Sequence, residues 1–160
     1  MPDSPALLDL IRASAIVQTI QLSLAPVFVL VAIGNILNIL STRLGRIVDR
    51  ARALQDLHNR TEGAEHDQVV LEIRAVDHRI ALITKAIRYM VVSALTIGST
   101  VAVLFIEGLF GLKLQIVAAV TFLGAVTLLL YALVLFLKET QIAAASLRIP
   151  RDYLELHRDL

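Results

Sequence analysis

Three long stretches of this chain carry no charge, and this constrains its fold more than any other feature. The first lies between Arg12 and Arg43, the second covers the 18 residues Tyr89 to Ile106, and the third the 24 residues Leu114 to Leu137. A helix needs about 20 apolar residues to cross the roughly 30 Å hydrocarbon layer. All three stretches qualify, the second with Leu109 and Leu112 just beyond Glu107. One such stretch could be a buried helix of a soluble domain, but three in 160 residues predict three transmembrane helices. With 57% hydrophobic and only 18% charged residues, there are too few charges to cover a soluble surface. The first stretch is too long for a cleavable signal peptide, lacks a basic start and is followed by arginines. A net charge of +1 argues against a nucleic-acid partner, and the absence of Cys excludes disulfides, thiol nucleophiles and Cys-ligated metals.

Charge placement predicts the threading. Nine basic residues lie between spans one and two and four follow span three, whereas Arg12 and Lys113 stand alone on the other side. The positive-inside rule then puts the N-terminus outside, with the middle segment and the C-terminus cytoplasmic. The expected organisation is an outer N-terminal segment (1–18), transmembrane helix 1 (19–42), a cytoplasmic helical hairpin (43–88), transmembrane helices 2 (89–112) and 3 (113–138) and a cytoplasmic tail (139–160). Ser4-Pro5 reads as a helix start. Pro26 removes a backbone donor and is expected to kink or break the first span. Glu107 to Gly111, with two glycines, is expected to form the outer turn, and Ile149-Pro150 to end the last helix ahead of an amphipathic tail.

Beyond the first span the apolar pattern keeps its phase. Ile33, Leu37, Leu40, Leu44, Ile47, Ala51 and Leu54 alternate steps of four and three, as do Val69, Ile73, Val76, Ile80, Ile83 and Ile87 on the return. Such heptad seams predict an antiparallel coiled-coil hairpin between spans one and two. Facing residues in an antiparallel pair have numbers of constant sum. Leu44 with Ile80 and Ala51 with Ile73 share the sum 124, which centres the turn on residue 62, inside the polar stretch His58–His66. The fold class is therefore all-α integral membrane, with three spans and a hairpin reaching about 25–30 Å past the bilayer.

Directly below the first span stands Thr42-Arg43-Leu44-Gly45-Arg46-Ile47-Val48-Asp49-Arg50-Ala51-Arg52. Arg43, Arg46, Asp49, Arg50 and Arg52 form a juxtamembrane charged cluster. It reads either as an anchor, with Asp49 balancing Arg46 and Arg52, or as a site for anionic lipid headgroups, each arginine attracting them by about 1 kcal/mol. Together with Leu24-Ala25-Pro26-Val27-Phe28, Ile33-Gly34 and Leu37-Asn38 upstream, this block resembles an uncharacterised family of bacterial three-span membrane proteins, a domain of unknown function. Arg79-Ile80-Ala81-Leu82-Ile83, Ala86-Ile87 and Phe136-Leu137-Lys138-Glu139 are similar to the family's later blocks. The resemblance implies three helices in a bacterial cell (inner) membrane and implies no activity.

Polar groups within the spans carry the functional expectations. Asn35, Asn38 and Thr42 share one face of the first helix, opposite the heptad seam, and amides facing lipid must be covered by another surface. That surface is the third span, a second copy of the chain, or water in a pore lined by these three residues. Ala94, Gly98 and Ala102, and Ala118, Thr121, Ala125 and Ala132, form small-residue rows suited to helix packing. Ser93, Thr96 and Thr100 are expected to bond to their own helix carbonyls. Glu107 and Lys113 stand at the outer surface, as interface charges or as the mouth of a pore. His58 and His66, beside Glu62, Glu65 and Asp67, read as a solvated tip rather than a metal site. No nucleophile–base pair, phosphate loop or cofactor motif is present, so no enzyme and no cofactor are expected. The expected function is that of a non-enzymatic homo-oligomer in membrane assembly or scaffolding. A small ion channel is the alternative, and an accessory subunit of a larger complex the second alternative.

Overall fold

The computed structural model describes the backbone of residues 4–146 and the side chains of residues 17–144. Three helices make up the described chain: α1 (Ser4–His58), α2 (Gly63–Phe110) and α3 (Gln115–Ser146). At 1.5 Å per residue they are about 80, 70 and 50 Å long, so α1 and α2 outrun a bilayer and α3 does so by less. Each is long and apolar enough to cross a membrane. Only 17%, 22% and 17% of the residues in their most apolar windows are buried within the chain, so many large apolar side chains face outward. Phe28, Leu95 and Ile116 are 69%, 67% and 80% exposed. That outward apolar surface identifies a multi-pass membrane protein.

The packing repeats every seven residues on all three helices. On α1 the buried stripe is Pro26, Ile33, Leu40, Ile47 and Leu54, with Ser23 buried one turn before it. On α2 one stripe is Val69, Val76, Ile83, Met90 and Ile97, and a second is Ala86, Ser93 and Thr100. On α3 it is Ala118, Ala125, Ala132 and Glu139. A period of seven is the spacing at which helices wound gently around each other keep one face toward a partner at a shallow crossing angle. α2 is the central helix and packs on both others, while α1 and α3 scarcely meet along their backbones.

Two cores result. One joins all three helices around Ile33, Leu40, Met90, Ile97, Ala125 and Leu135. The other lies nearer the α1–α2 turn and holds Ile47, Leu54, Val69, Val76 and Ile83, with Leu44, Ala51, Ile73 and Ile80 packed against it. These are the residues of the two sequence seams. The α1–α2 turn is confined to residues 59–62, shorter than the polar stretch around it, and the His58 and His66 rings lie 4.3 Å apart across it.

Three local expectations change. α1 runs unbroken through Pro26, which occupies a buried position one heptad before Ile33, so burial of the ring offsets the one lost donor. The second turn is Gly111 to Leu114 rather than Glu107 to Gly111. Gly111 adopts φ 65° as the left-handed cap of α2, its N–H donating to Glu107 O at 2.9 Å. Gly108 is helical, and it is needed for close approach: a Cβ there would lie 2.5 Å from Thr19 Oγ1. Ser93 does not bond within its own helix but donates to Ala125 O on α3 at 2.7 Å. Ile149-Pro150 and the expected tail lie outside the described residues.

Candidate functional site

The α2–α3 interface is a ladder that ends in charge. Arg79, Ala86, Ser93, Thr100 and Glu107 follow one another at seven-residue steps along α2. Across from them, in opposite order, run Glu139, Ala132, Ala125 and Ala118 of α3, and then Gly111 in the turn. Ser93 bonds to Ala125 O, and Thr100 donates to Thr121 Oγ1 at 3.0 Å. Alanine on the α3 side lets the backbones come close enough for these bonds, which in lipid help to fix register.

At the end of the ladder nearer the α1–α2 turn, Glu139 has no solvent exposure. A carboxylate is tolerated there only if paired. Arg79 supplies Nη2 at 3.0 Å and Nε at 3.1 Å to Oε1. Arg43 of α1 places Nη2 at 3.2 Å from Oε2, close enough for ion pairing but not aligned as a hydrogen bond, so Oε2 has no hydrogen-bond donor. Arg43 also donates to Thr140 Oγ1 at 3.2 Å and lies 5.3 Å from the centre of the Phe136 ring. One acid from α3 thus holds one arginine from each of the other helices, and it ties α1 to α3 where their backbones do not pack.

The expected charged cluster is therefore divided. Arg43 turns inward to Glu139, and Arg50 pairs with Glu72 of α2 at 2.6 Å. Asp49 reaches Arg52 at 4.0 Å, both exposed, and no pair with Arg46 forms, so Asp49 does not balance the two arginines symmetrically. Glu139, assigned by hydropathy to the polar tail, is the residue that sequence reasoning missed. The step of seven from Ala118 through Ala125 and Ala132 leads to it.

Asn35, Asn38 and Thr42 lie together on the exposed face of α1. Thr42 donates to Asn38 O at 3.0 Å, whereas the side-chain amides of Asn35 and Asn38 have no hydrogen-bond partner among the described residues. A shallow groove of about 270 Å³ joins Asn38, Thr42, Arg43 and Arg46. Ala118, Ala125 and Ala132 pack against α2, while Gly98 and Ala102 face outward. Glu107 and Lys113 both line a cavity of about 680 Å³ at the α2–α3 turn. Among the described residues no group of three or more His, Asp or Glu is placed to hold a metal.

No curated protein and no solved structure matches the chain. One family model does, over residues 23–149, which begins within α1 just before Pro26 and ends three residues after Ser146. The match takes in the larger part of α1, all of α2 and α3, both arginines of the ladder's end and Glu139, and the chain belongs to the family described as "Protein of unknown function (DUF2721)".

Proposed function

We propose that the chain is a non-enzymatic membrane protein that associates with copies of itself through the amide face of α1 and serves as a membrane scaffold. The observation that carries this reading is the pair Asn35 and Asn38. Both are exposed within an apolar stretch and neither amide is bonded inside the chain. In lipid each uncovered amide is costly, and the third span does not cover them, since both residues stay exposed with α3 in place. A second copy presenting the same face satisfies both. In this reading the N-terminus is outside, the α1–α2 extension is a cytoplasmic coiled-coil hairpin below a bacterial inner membrane, and Arg46 and Arg52 meet anionic headgroups. Those parts rest on the asymmetry of basic residues and on the family resemblance.

The groove from Asn38 past Thr42 to Arg46 favours a second reading, in which the faces of several copies line an ion path. Replacing Asn35 and Asn38 together by Leu separates the two. Polar bonds between helices in bilayers average about 0.6 kcal/mol, so the fold survives. For a scaffold, the double variant lowers the oligomeric fraction measured by crosslinking in liposomes, and neither protein conducts. For a channel, Asn38→Leu alone abolishes ion flux while the oligomer persists. An unchanged oligomer without flux in either protein would sink both readings.

A further inference from the structure

The α2–α3 ladder has an acid at each end, and only one of them is paired. Glu139 has two arginines, whereas Glu107 faces Gly111, which has no side chain to answer it. Glu107 Oε2 is out of solvent and has no hydrogen-bond partner, although the residue as a whole is half-buried. The residue also lines a cavity of about 680 Å³, within the usual range of ligand sites of about 300–1,000 Å³.

The walls of that cavity define what it takes. Leu22 and Pro26 of α1, Leu104 of α2 and Phe122 of α3 make it mainly apolar, and it lies between helices long and apolar enough to span a bilayer. At the turn end its rim carries one acid, Glu107, and one base, Lys113. An apolar slot below a carboxylate and an ammonium is complementary to an apolar chain below a zwitterionic head. The Glu107 carboxylate lining this cavity has no ion-pair partner among the described residues, and it is best answered by N–H donors, which a primary ammonium has and a quaternary one lacks.

We infer that this cavity binds an amine-headed phospholipid, with the head's ammonium on Glu107, its phosphate on Lys113 and an acyl chain between α1 and α3. The site does not depend on self-association or on which face of the membrane the turn occupies. Gly108 belongs to its construction, because the close approach of Thr19 there closes α1 onto α2 beside the acid.

The test offers the purified full-length chain equal amounts of phosphatidylethanolamine and phosphatidylcholine with identical acyl chains, and counts retained lipids by native mass spectrometry. These lipids differ in whether the head nitrogen carries N–H donors. The expected result is about a tenfold preference for the ethanolamine lipid, the size of one charge-assisted hydrogen bond. Glu107→Gln reduces that ratio to near one, while Lys113→Gln weakens retention of both lipids and leaves the ratio unchanged. Helical content by circular dichroism checks that each variant is folded. Equal retention of the two lipids by the unaltered chain, or an unchanged ratio in folded Glu107→Gln, overturns the proposal. Loss of the ratio in Lys113→Gln as well would overturn the division of roles between the two charges.

Discussion

Glu139 is the side chain whose replacement tests the bundle most directly. Glu139→Gln keeps the shape but leaves Arg43 and Arg79 facing each other without a counter-charge. Breaking a buried pair by removing one partner costs about 3–5 kcal/mol, so the variant should lose stability on that scale in steric-trap or denaturant unfolding in micelles. Arg50→Ala, which breaks an exposed pair with Glu72, should cost no more than about 1 kcal/mol. Equal losses for the two would remove Glu139 from its central place. The difference between these pairs is also where hydropathy fails as a guide. The uncharged run stops at Leu137, so a hydropathy reading hands Glu139 to the tail, although the step of seven from Ala132 leads into the core. Ser93 is similar: a hydroxyl in a span bonds its own helix by default, and only the facing Ala125 lets it reach across. Long-range partners of polar groups depend on what stands opposite, which one helix cannot reveal. Asn35 and Asn38 were legible for the opposite reason, since the amphipathic phase of α1 alone puts them away from its seam.

For the helices themselves the pattern was enough, because burial follows a fixed period. The seam residues Ile33, Leu40, Ile47 and Leu54, and Val69, Val76 and Ile83 opposite, are all buried. Their register makes a sharp expectation in a chain without cysteine. Ala51→Cys with Ile73→Cys should crosslink readily, whereas Ala51→Cys with Val69→Cys or Ile80→Cys should crosslink poorly, being one to two helical turns out of step. Comparable yields for the three pairs would mean that the two helices slide. Turns were less legible, because a glycine in sequence does not state its job. Gly111 caps α2 with positive φ, while Gly108 is a helical residue kept bare by Thr19. Gly108→Ala should therefore cost about 1–3 kcal/mol by overpacking. Adding Thr19→Ala, which removes the clashing hydroxyl, should restore most of it. Thermal unfolding of both variants in the same detergent checks this, and an unrelieved loss in the double variant would place the strain elsewhere.

On the scale of the whole molecule, the thirteen-to-two division of basic residues sets an expectation for threading. A reporter inserted at Gly63 should be cytoplasmic and one placed in the turn after Gly111 external, as read by a phosphatase–fluorescent-protein pair. An external reporter at Gly63 would invert the orientation and leave the packing untouched. The three-way ion pair also has a consequence in time. A ribosome adds about 5–20 residues per second, and Glu139 follows Arg79 by 60 positions. For roughly 3–12 seconds of synthesis, therefore, both arginines exist without the acid that will neutralise them. They are held only by solvent or lipid phosphate until the last helix arrives. A chain that stops short of α3 keeps two bare guanidinium groups on the α1–α2 pair, a mark that distinguishes an unfinished molecule from a finished one.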